Sequence, residues 1–208
     1  TSVADFFYQI LTINKIPASY IGTLGIKYNK KVIKTNLTTP DAITIHKNLE
    51  KLKKKNINNV IIEASSHSLD QSRLNNINFK AGIFTNFTQD HLDYHKTMNA
   101  YLKAKLILFS KILSKKSYVI SDKSIKQFSI LKKISKNRNL RLIDIKNKFD
   151  HIQNISNLFP GTFQKKNLSM AILAAQLCGL KTVKISSTLK KLKNIDGRLE
   201  LAKIFPNN

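Results

Sequence analysis

Short β-rich segments alternate with helical patterns along this chain of 208 residues, and this alternation constrains the fold more than any other feature. Four of the segments are rich in Val, Ile, Phe or Tyr and are bounded by polar residues, which is typical of strands. They span 59–65, 80–87, 116–122 and 140–145. A helix between two strands returns the chain to the same edge of the sheet, so the strands run parallel. The sequence therefore predicts an α/β fold in which a mainly parallel sheet is flanked by helices.

Each helical pattern has one apolar face. In the first, at the start of the chain, that face consists of Val3, Phe6, Phe7, Ile10 and Leu11. The second helix follows Thr39, which we predict as its N-cap, with Pro40 in its first turn. Its apolar face consists of Ala42, Ile45, Leu49 and Leu52. Two later helices are predicted within 163–179 and 183–192, and Gly179 is placed to end the earlier one.

The formal net charge of +24 raises the question of a nucleic-acid partner. Only four of the 36 basic residues are arginine, whose planar fork reads bases and clamps phosphates. The lysines are scattered, and Asn and Ile are also over-used, which is typical of an AT-rich coding sequence. We therefore expect no specific nucleic-acid partner, only a weak general attraction to polyanions.

Cysteine usage and hydropathy indicate the compartment. Cys178 is the single cysteine, which excludes an internal disulfide and is typical of a reducing environment. No apolar run reaches the length of a membrane span, and the first ten residues lack the features of a signal peptide. We predict a soluble, cytoplasmic, monomeric protein without membrane insertion.

Polar side chains follow three of the predicted strands. Glu63 precedes the sequence SSHS, Thr85 and Asn86 lead to Asp90 and His91, and the third strand ends in Ser121 and Asp122. Ligands of parallel α/β sheets collect beyond the carboxyl ends of the strands. Carboxylates and imidazoles there are suitable ligands for a divalent cation beside phosphates. Each residue alone is equally typical of a cap or a turn; together they favour one shared site.

Lys105 occupies an unusual position in the helix predicted over 97–113. The apolar stripe of that helix consists of Met98, Tyr101, Leu102, Leu108, Phe109 and Ile112, and Lys105 fills the gap in it. A lysine on a buried face must snorkel, pair or lose its charge. A neutral amine near a metal can capture carbon dioxide and become a carbamate, which would be an anionic metal ligand. The pattern leaves both possibilities open, a snorkelling lysine and a carbamylated one.

Two long motifs resemble the Mur ligase family. They are IIEASSHSLDQSRL, from residue 61, and AGIFTNFTQDHLDYHKTMNAYLKAKLILFS, from residue 81. TTPD at 38–41, GTFQKKN at 161–167 and GRLE at 197–200 follow the family's order. Within the family the chain is similar to the MurE type, which adds the third peptide residue to UDP-N-acetylmuramoyl-L-alanyl-D-glutamate. The resemblance implies the family's central, P-loop ATPase-like domain and a reaction that couples ATP cleavage to amide formation through an acyl phosphate.

Position by position, the resemblance implies three groups of site residues, with ATP and Mg²⁺ as cofactors. The metal ions would be held by Thr1, Glu63, His91 and Lys105. The UDP-muramoyl-dipeptide would contact Thr38, Thr39, Ser65, Gln71 and Arg73. ATP would contact Thr1, Ser2, Asn167 and Arg198. Lys105 aligns with the family's carbamylated lysine, which supports the second Mg²⁺.

The resemblance also implies domain boundaries. The family's phosphate loop reads G-T-N-G-K-[ST], and Thr1 would be its last residue. Residues 1–196 would then form a central ATP-binding domain lacking its N-terminal strand and most of the phosphate loop, and 197–208 a hinge to an absent C-terminal domain. We expect the isolated chain to be inactive. The incoming diamino acid would bind the absent domain, so the sequence leaves open whether it is meso-diaminopimelate or L-lysine.

Two departures from the family pattern concern the nucleotide side. Gln164 replaces the first Asn of F-N-x-x-N, and the stretch 123–160 looks shorter than in typical relatives. We interpret His67, Asp93 and His95 as structural residues. Two other functions remain as alternatives: a non-catalytic basic module that binds nucleotide or nucleic acid, and a metal-dependent hydrolase built on Glu63, His91 and His95.

Overall fold

The computed structural model describes residues 1–146 and 161–195. Arg198 and the predicted hinge at 197–208 lie outside these residues, as does the later part of the segment 123–160. The strands are β1 (Ala18–Gly22), β2 (Gly25–Tyr28), β3 (Lys31–Ile33), β4 (Asn59–Ile62), β5 (Ala81–Ile83), β6 (Tyr118–Ser121) and β7 (Arg141–Asp144). The helices are α1 (Ser2–Ile13), α2 (Ala42–Lys54), α3 (Ser66–Asp70), α4 (Leu92–His95), α5 (Met98–Ile107), α6 (Phe128–Asn137), α7 (Thr162–Leu177) and α8 (Ile185–Leu189). A π-helical turn, Leu108–Ile112, continues α5, and a 3₁₀ turn, Thr182–Lys184, precedes α8.

The strands form two sheets. The first has the order β3-β2-β1-β4, and the second has the order β5-β6-β7. The β1–β4 pair and every pair of the second sheet are parallel, whereas β1, β2 and β3 form antiparallel hairpins. The four predicted strands are therefore present, each shorter than predicted, and the mainly parallel α/β architecture is confirmed.

The hairpins of β1–β3 were not predicted, and the turn between β2 and β3 lacks the usual glycine. The turn between β2 and β3 places Asn29 and Lys30 at φ of 45° and 62°. Two successive positive φ angles are the geometry of a type I′ hairpin, which normally has glycine second. Because lysine stands where glycine is usual, this hairpin could not be recognised from the sequence.

The N-cap of α2 corrects another expectation. Asp41, not Thr39, caps the helix, since its Oδ1 accepts a hydrogen bond from the Thr44 backbone at 2.9 Å. The Thr39 hydroxyl is already engaged, because it donates to the backbone carbonyl of Glu63 at 2.6 Å. A carboxylate next to the first turn also complements the positive end of the helix. Thr39 is buried and faces the site described below.

Helices cover both faces of the two sheets. On one face α1 and α7 pack together over residues that include Ala18, Ile61, Ile83 and Ile120, and the predicted apolar face of α1 is buried there. On the other face α2, α5 and α6 cover a second cluster that includes Ile62 and Phe84. Both sheets contribute to both cores, so they lie in one layer between helices. The edge strand β4 of the first sheet and the edge strand β5 of the second sheet share these cores, although no backbone hydrogen-bond ladder joins them within the described residues.

Helix α7 ends as predicted, with Cys178 as C-cap followed by Gly179 at φ 95°, a conformation that costs glycine least. No helix among the described residues combines the length and apolarity needed to cross a bilayer.

Candidate functional site

The carboxylate of Glu63 is the centre of a polar cluster at the end of β4. We call it the Glu63 cluster; it consists of Thr1, Tyr20, Thr23, Thr38 and Glu63. Glu63 Oε2 accepts hydrogen bonds from the hydroxyls of Thr1 at 3.0 Å and Thr23 at 2.9 Å. Glu63 Oε1 accepts from the Tyr20 phenol and from the Thr23 backbone, the latter at 3.3 Å. The Thr38 hydroxyl completes the cluster at 3.3 Å from that of Thr23.

Glu63 fits against β1 because residue 22 is glycine. The Glu63 backbone N–H donates to the carbonyl of Ile21 at 2.9 Å, which sets Glu63 beside Gly22. A Cβ on Gly22 would overlap the Glu63 carboxylate, and the side-chain carbon atoms next to it as well. The absence of a side chain at position 22 therefore makes room for the carboxylate over the strand.

Three side-chain hydroxyls donate to the Glu63 carboxylate. Burial raises the pKa of Glu63, whereas the hydrogen bonds from Tyr20, Thr23 and Thr1 lower it, because they favour the ionised form. A carboxylate with a threonine hydroxyl 3.0 Å away offers the oxygen ligands that Mg²⁺ prefers. Mg²⁺ keeps several waters or phosphate oxygens, so two protein oxygens suit it. The Glu63 cluster thus fits the predicted first metal position.

Sequence reasoning missed Tyr20 and Thr23. Both depend on β1 and the turn that follows it, and neither element was predicted. With β1 assigned, the alternation of side chains would place Tyr20 on the same face as Gly22. Tyr20 would then have been expected on the same side of the sheet as the Glu63 carboxylate.

The residues predicted to contact the dipeptide substrate form a continuous row beside Glu63. The Thr39 and Ser65 hydroxyls lie 3.1 Å apart, and the Ser65 side chain also caps α3 through the Ser68 N–H. Arg73 Nη1 donates to the Thr39 carbonyl at 2.8 Å, and Arg73 Nε donates to Gln71 Oε1 at 3.0 Å. Thr38 links the row to the Glu63 cluster. Gln71 is exposed at its outer end, where a ligand can reach it.

Histidine and tyrosine rings pack together next to this row. The ring centroid of His67 lies 5.0 Å from that of His91, 5.5 Å from that of His95 and 4.2 Å from that of Tyr94. His95 Nε2 lies 2.9 Å from the Ser66 hydroxyl, and burial, followed by the neighbouring His67, lowers the pKa of His95. His91 has a left-handed backbone and its Nε2 lies 3.5 Å from Asp90 Oδ2. A structural role for His67, Asp93 and His95 remains our interpretation.

Lys105 lies near two other aromatic rings. Its Nζ lies 5.2 Å from the centroid of the Tyr101 ring and 5.9 Å from that of Phe84. Burial lowers the pKa of Lys105, and the negative charge of Asp90 opposes this effect more weakly. In the described part of the chain no salt bridge joins Lys105 to a carboxylate. The amine is thus poorly compensated, which favours its neutral and nucleophilic form.

The hydrolase alternative lacks a metal site. Across residues 1–146 and 161–195, no group of three His, Cys, Asp or Glu side chains could hold a metal ion. Glu63 with His91 and His95 therefore does not form the three-ligand centre that a hydrolytic metal requires. The predicted second cation would need a further ligand beside His91, and a carbamate on Lys105 would be one.

Of the predicted ATP contacts, Asn167 lies in the first two turns of α7. Asn167 Nδ2 donates to Gln164 Oε1 at 3.1 Å, so the residue that departs from the family pattern contacts the predicted adenine ligand. Lys166 bridges to Asp122 Oδ2 at 2.6 Å and to the Ser124 hydroxyl at 2.9 Å. Lys166, Asp122 and Ser124 border a cavity of about 320 Å³, whose other lining residues are Lys123, Ile145 and Lys146. Asp122 is thus paired within this group, and the described contacts do not join it to the Glu63 cluster. Ser2 is the first residue of α1.

The ion pair of Asp122 makes a prediction about acid stability. Burial raises the pKa of Asp122, but Lys166 and Ser124 outweigh this and hold the pKa below its ordinary value of 3.8. The ionised form therefore stabilises the fold above about pH 4, and that contribution is lost as the pH falls through the folded-state pKa. We expect Asp122→Asn to lower the free energy of unfolding near neutral pH by more than it does at pH 3. Urea unfolding at both pH values measures this, and a difference independent of pH would contradict it.

Comparison with known proteins agrees with the geometry. The sequence model of the family described as "Mur ligase middle domain" matches residues 1–169. The "UDP-N-acetylmuramoyl-L-alanyl-D-glutamate--2,6-diaminopimelate ligase" of Leptospira interrogans serogroup Icterohaemorrhagiae serovar copenhageni (strain Fiocruz L1-130) is 33% identical over 227 residues, covering 97% of this chain and 45% of the relative. The protein of that name from Zymomonas mobilis subsp. mobilis (strain ATCC 31821 / ZM4 / CP4) is 42% identical over 154 residues, covering 74% of this chain and 32% of the relative.

A solved structure supports the fold. It is titled as a structure of a UDP-N-acetylmuramoyl-L-alanyl-D-glutamate--2,6-diaminopimelate ligase, and it matches with a TM-score of 0.80 at 21% identity. The match covers 99% of this chain and 46% of the solved chain. The chain therefore spans less than half the length of these relatives.

Proposed function

This chain belongs to the Mur ligase family through its middle domain, and from that premise we propose that it is the central part of an ATP-dependent amide ligase of peptidoglycan precursor synthesis. The ligase would add a diamino acid to UDP-N-acetylmuramoyl-L-alanyl-D-glutamate through an acyl phosphate. The relatives described above are named as 2,6-diaminopimelate ligases, which favours that diamino acid over L-lysine. The phosphate loop would precede Thr1, and a further domain would follow the hinge at 197–208.

The observation that carries this proposal is the position of the Glu63 cluster. The Glu63 carboxylate, a threonine hydroxyl at the start of a helix, and the row from Thr38 to Arg73 adjoin one another. A ligase that activates a carboxylate with ATP needs the γ-phosphate and the acceptor at one place, because the two react directly. The adjacency of the residues predicted to bind the metal ion and of those predicted to bind the dipeptide supports the proposal.

Each group of site residues has a separate proposed role. Mg²⁺, when bound, neutralises charge on the phosphoryl group in transfer. Thr1 and Glu63 would hold the first ion, and His91 and a carbamylated Lys105 the second. Thr38, Thr39, Ser65, Gln71 and Arg73 would bind and orient the muramoyl-dipeptide. Ser2, Asn167 and Arg198 would contact ATP.

Arg73 is one of the residues that would orient the muramoyl-dipeptide. Hydrogen bonds to Thr39 and Gln71 hold its guanidinium, which leaves a fixed cation in the predicted substrate row. A guanidinium suits the carboxylates of a D-glutamyl peptide, because its planar fork matches a carboxylate. A binding role for Arg73 therefore follows from its chemistry as well as from the family pattern.

The test uses the intact protein that carries this chain. We expect release of phosphate from ATP to require both UDP-N-acetylmuramoyl-L-alanyl-D-glutamate and 2,6-diaminopimelate, and one amide product to form for each phosphate released. Phosphate release that is independent of the muramoyl-dipeptide would contradict the ligase. Salt-sensitive affinity for polyanions, unaffected by replacing Glu63 or Lys105 and without amide formation, would favour the non-catalytic binding module instead.

A further inference from the structure

We propose that Tyr20 is a positioning residue that fixes the orientation of the Glu63 carboxylate for cation binding. The inference rests on the proposed function, since it assigns Glu63 to the first metal ion. Tyr20 touches none of the reacting groups itself. It acts through its phenol, which donates to Glu63 Oε1.

The strand register brings Tyr20 to Glu63. Tyr20 lies opposite Ile61 in the parallel β1–β4 ladder, and Glu63 lies two residues beyond Ile61. Side chains two residues apart on a strand share a face, so the Tyr20 ring and the Glu63 carboxylate project to the same side of the sheet. Gly22, between them on that face, leaves the space in which they meet.

The direction of the Tyr20 hydroxyl is determined by a second hydrogen bond. The backbone N–H of Leu24 donates to the phenol oxygen at 3.0 Å. An oxygen that accepts from Leu24 directs its single proton elsewhere, and the Glu63 carboxylate is the acceptor on that side. The Tyr20 side chain is fully buried, so water does not compete for the proton.

The two oxygens of Glu63 are thereby distinguished. Oε1 is held from the protein interior by the Tyr20 phenol and the Thr23 N–H. Oε2 faces the hydroxyls of Thr1 and Thr23, and Thr1 is the predicted metal ligand. Holding one oxygen leaves the other in a fixed position, so the cation meets a preorganised monodentate ligand. Partners that orient ligating carboxylates in this way affect metal affinity without touching the metal.

The Tyr20 ring is also held in place by a neighbouring ion pair. Lys27 Nζ lies 5.2 Å from the centroid of the ring, and Asp5 Oδ1 holds that ammonium at 2.8 Å. Gln9 Nε2 donates to the other Asp5 oxygen at 2.7 Å. Replacing Tyr20 by phenylalanine would keep the ring in this setting and remove only the hydroxyl, which separates positioning from core filling.

The experiment measures metal binding directly. Mn²⁺ serves as the probe, and electron paramagnetic resonance reports its binding to the intact ligase with a non-hydrolysable ATP analogue. We expect Tyr20→Phe to raise the Mn²⁺ dissociation constant about tenfold. Replacing Tyr20 by 4-aminophenylalanine, which restores a donor at the same position, is expected to recover most of the affinity. The thermal unfolding midpoint of each variant shows that it is folded.

Tyr28→Phe is the matched control. Tyr28 is a buried tyrosine of the same sheet, but its neighbour in the ladder is Ser19, so it lies on the opposite face against α2. Its replacement should leave Mn²⁺ binding unchanged. Wild-type affinity in Tyr20→Phe, together with weakened binding in Glu63→Gln, would overturn the role of Tyr20 alone. Unchanged affinity in Glu63→Gln would overturn the metal role of Glu63, and with it this inference.

Discussion

Replacing Lys105 by alanine in the intact ligase is expected to lower kcat by about a hundredfold or more. Lys105 lies against Tyr101 and Phe84 and has a pKa lowered by burial, which favours the neutral amine that captures carbon dioxide. The carbamate would supply a further anionic ligand, since the described His, Cys, Asp and Glu residues form no three-ligand group that could hold a metal ion. Loss of the carbamate would remove one ligand of the second cation.

Three measurements separate a carbamate from an ordinary lysine. Acetate or formate added to Lys105→Ala should restore part of the activity, because a small carboxylate can occupy the vacated space. Carbon-13 bicarbonate should give a carbamate resonance in the wild type that is absent from this variant. Lys103→Ala, on the exposed side of the same helix, should behave as the wild type. Full activity of Lys105→Ala would refute the carbamate.

Replacing Lys27 by methionine is expected to lower the free energy of unfolding by about 3 kcal/mol. The side chain of Asp5 is only 6% exposed and pairs with Lys27 at 2.8 Å. Removing the ammonium leaves a buried carboxylate with Gln9 as its remaining side-chain donor among the described contacts. An unpaired buried charge costs far more than the pair itself contributes, because it has lost its hydration.

Urea unfolding of the chain tests this with two companions. The double variant Asp5→Leu with Lys27→Met removes both charges and should recover most of the stability, as apolar replacements of buried pairs do. Lys54→Met removes an exposed pair with Glu50 on α2 and should lower the stability far less than Lys27→Met does, because water screens exposed charges. Equal losses for Lys27→Met and Lys54→Met would show that burial of the Asp5 pair contributes nothing.

Part of this architecture could be predicted from local pattern. The apolar runs that became β4 to β7 and the stripe that buries α1 depend on periodicity, which the sequence displays directly. The gap at Lys105 was visible for the same reason. The β1–β3 hairpins were not, because Asn29 and Lys30 adopt left-handed backbones without the glycine that usually marks them.

The site was predictable only where a motif carried it. Family resemblance named Thr1, Thr38 and Glu63, and the structure brings their side chains into one cluster. Tyr20 carries no motif, and its contact with Glu63 depends on a strand register that local reading does not give. The N-cap of α2 was predicted wrongly for a similar reason, since the Thr39 hydroxyl bonds to Glu63 whereas the Asp41 side chain bonds to its own helix.

The edge strand β4 of the first sheet and the edge strand β5 of the second sheet share the same two cores. This arrangement has a consequence for self-association. Within the described residues each has one side without a strand partner. Such a side presents a row of N–H and C=O groups that accepts any extended segment, whether from the same polypeptide or from another copy. Apolar residues of both strands, Ile61 and Ile83 among them, already lie in the buried layer. A strand docking there would enter the middle of the molecule, so intramolecular completion and intermolecular aggregation would compete for the same place.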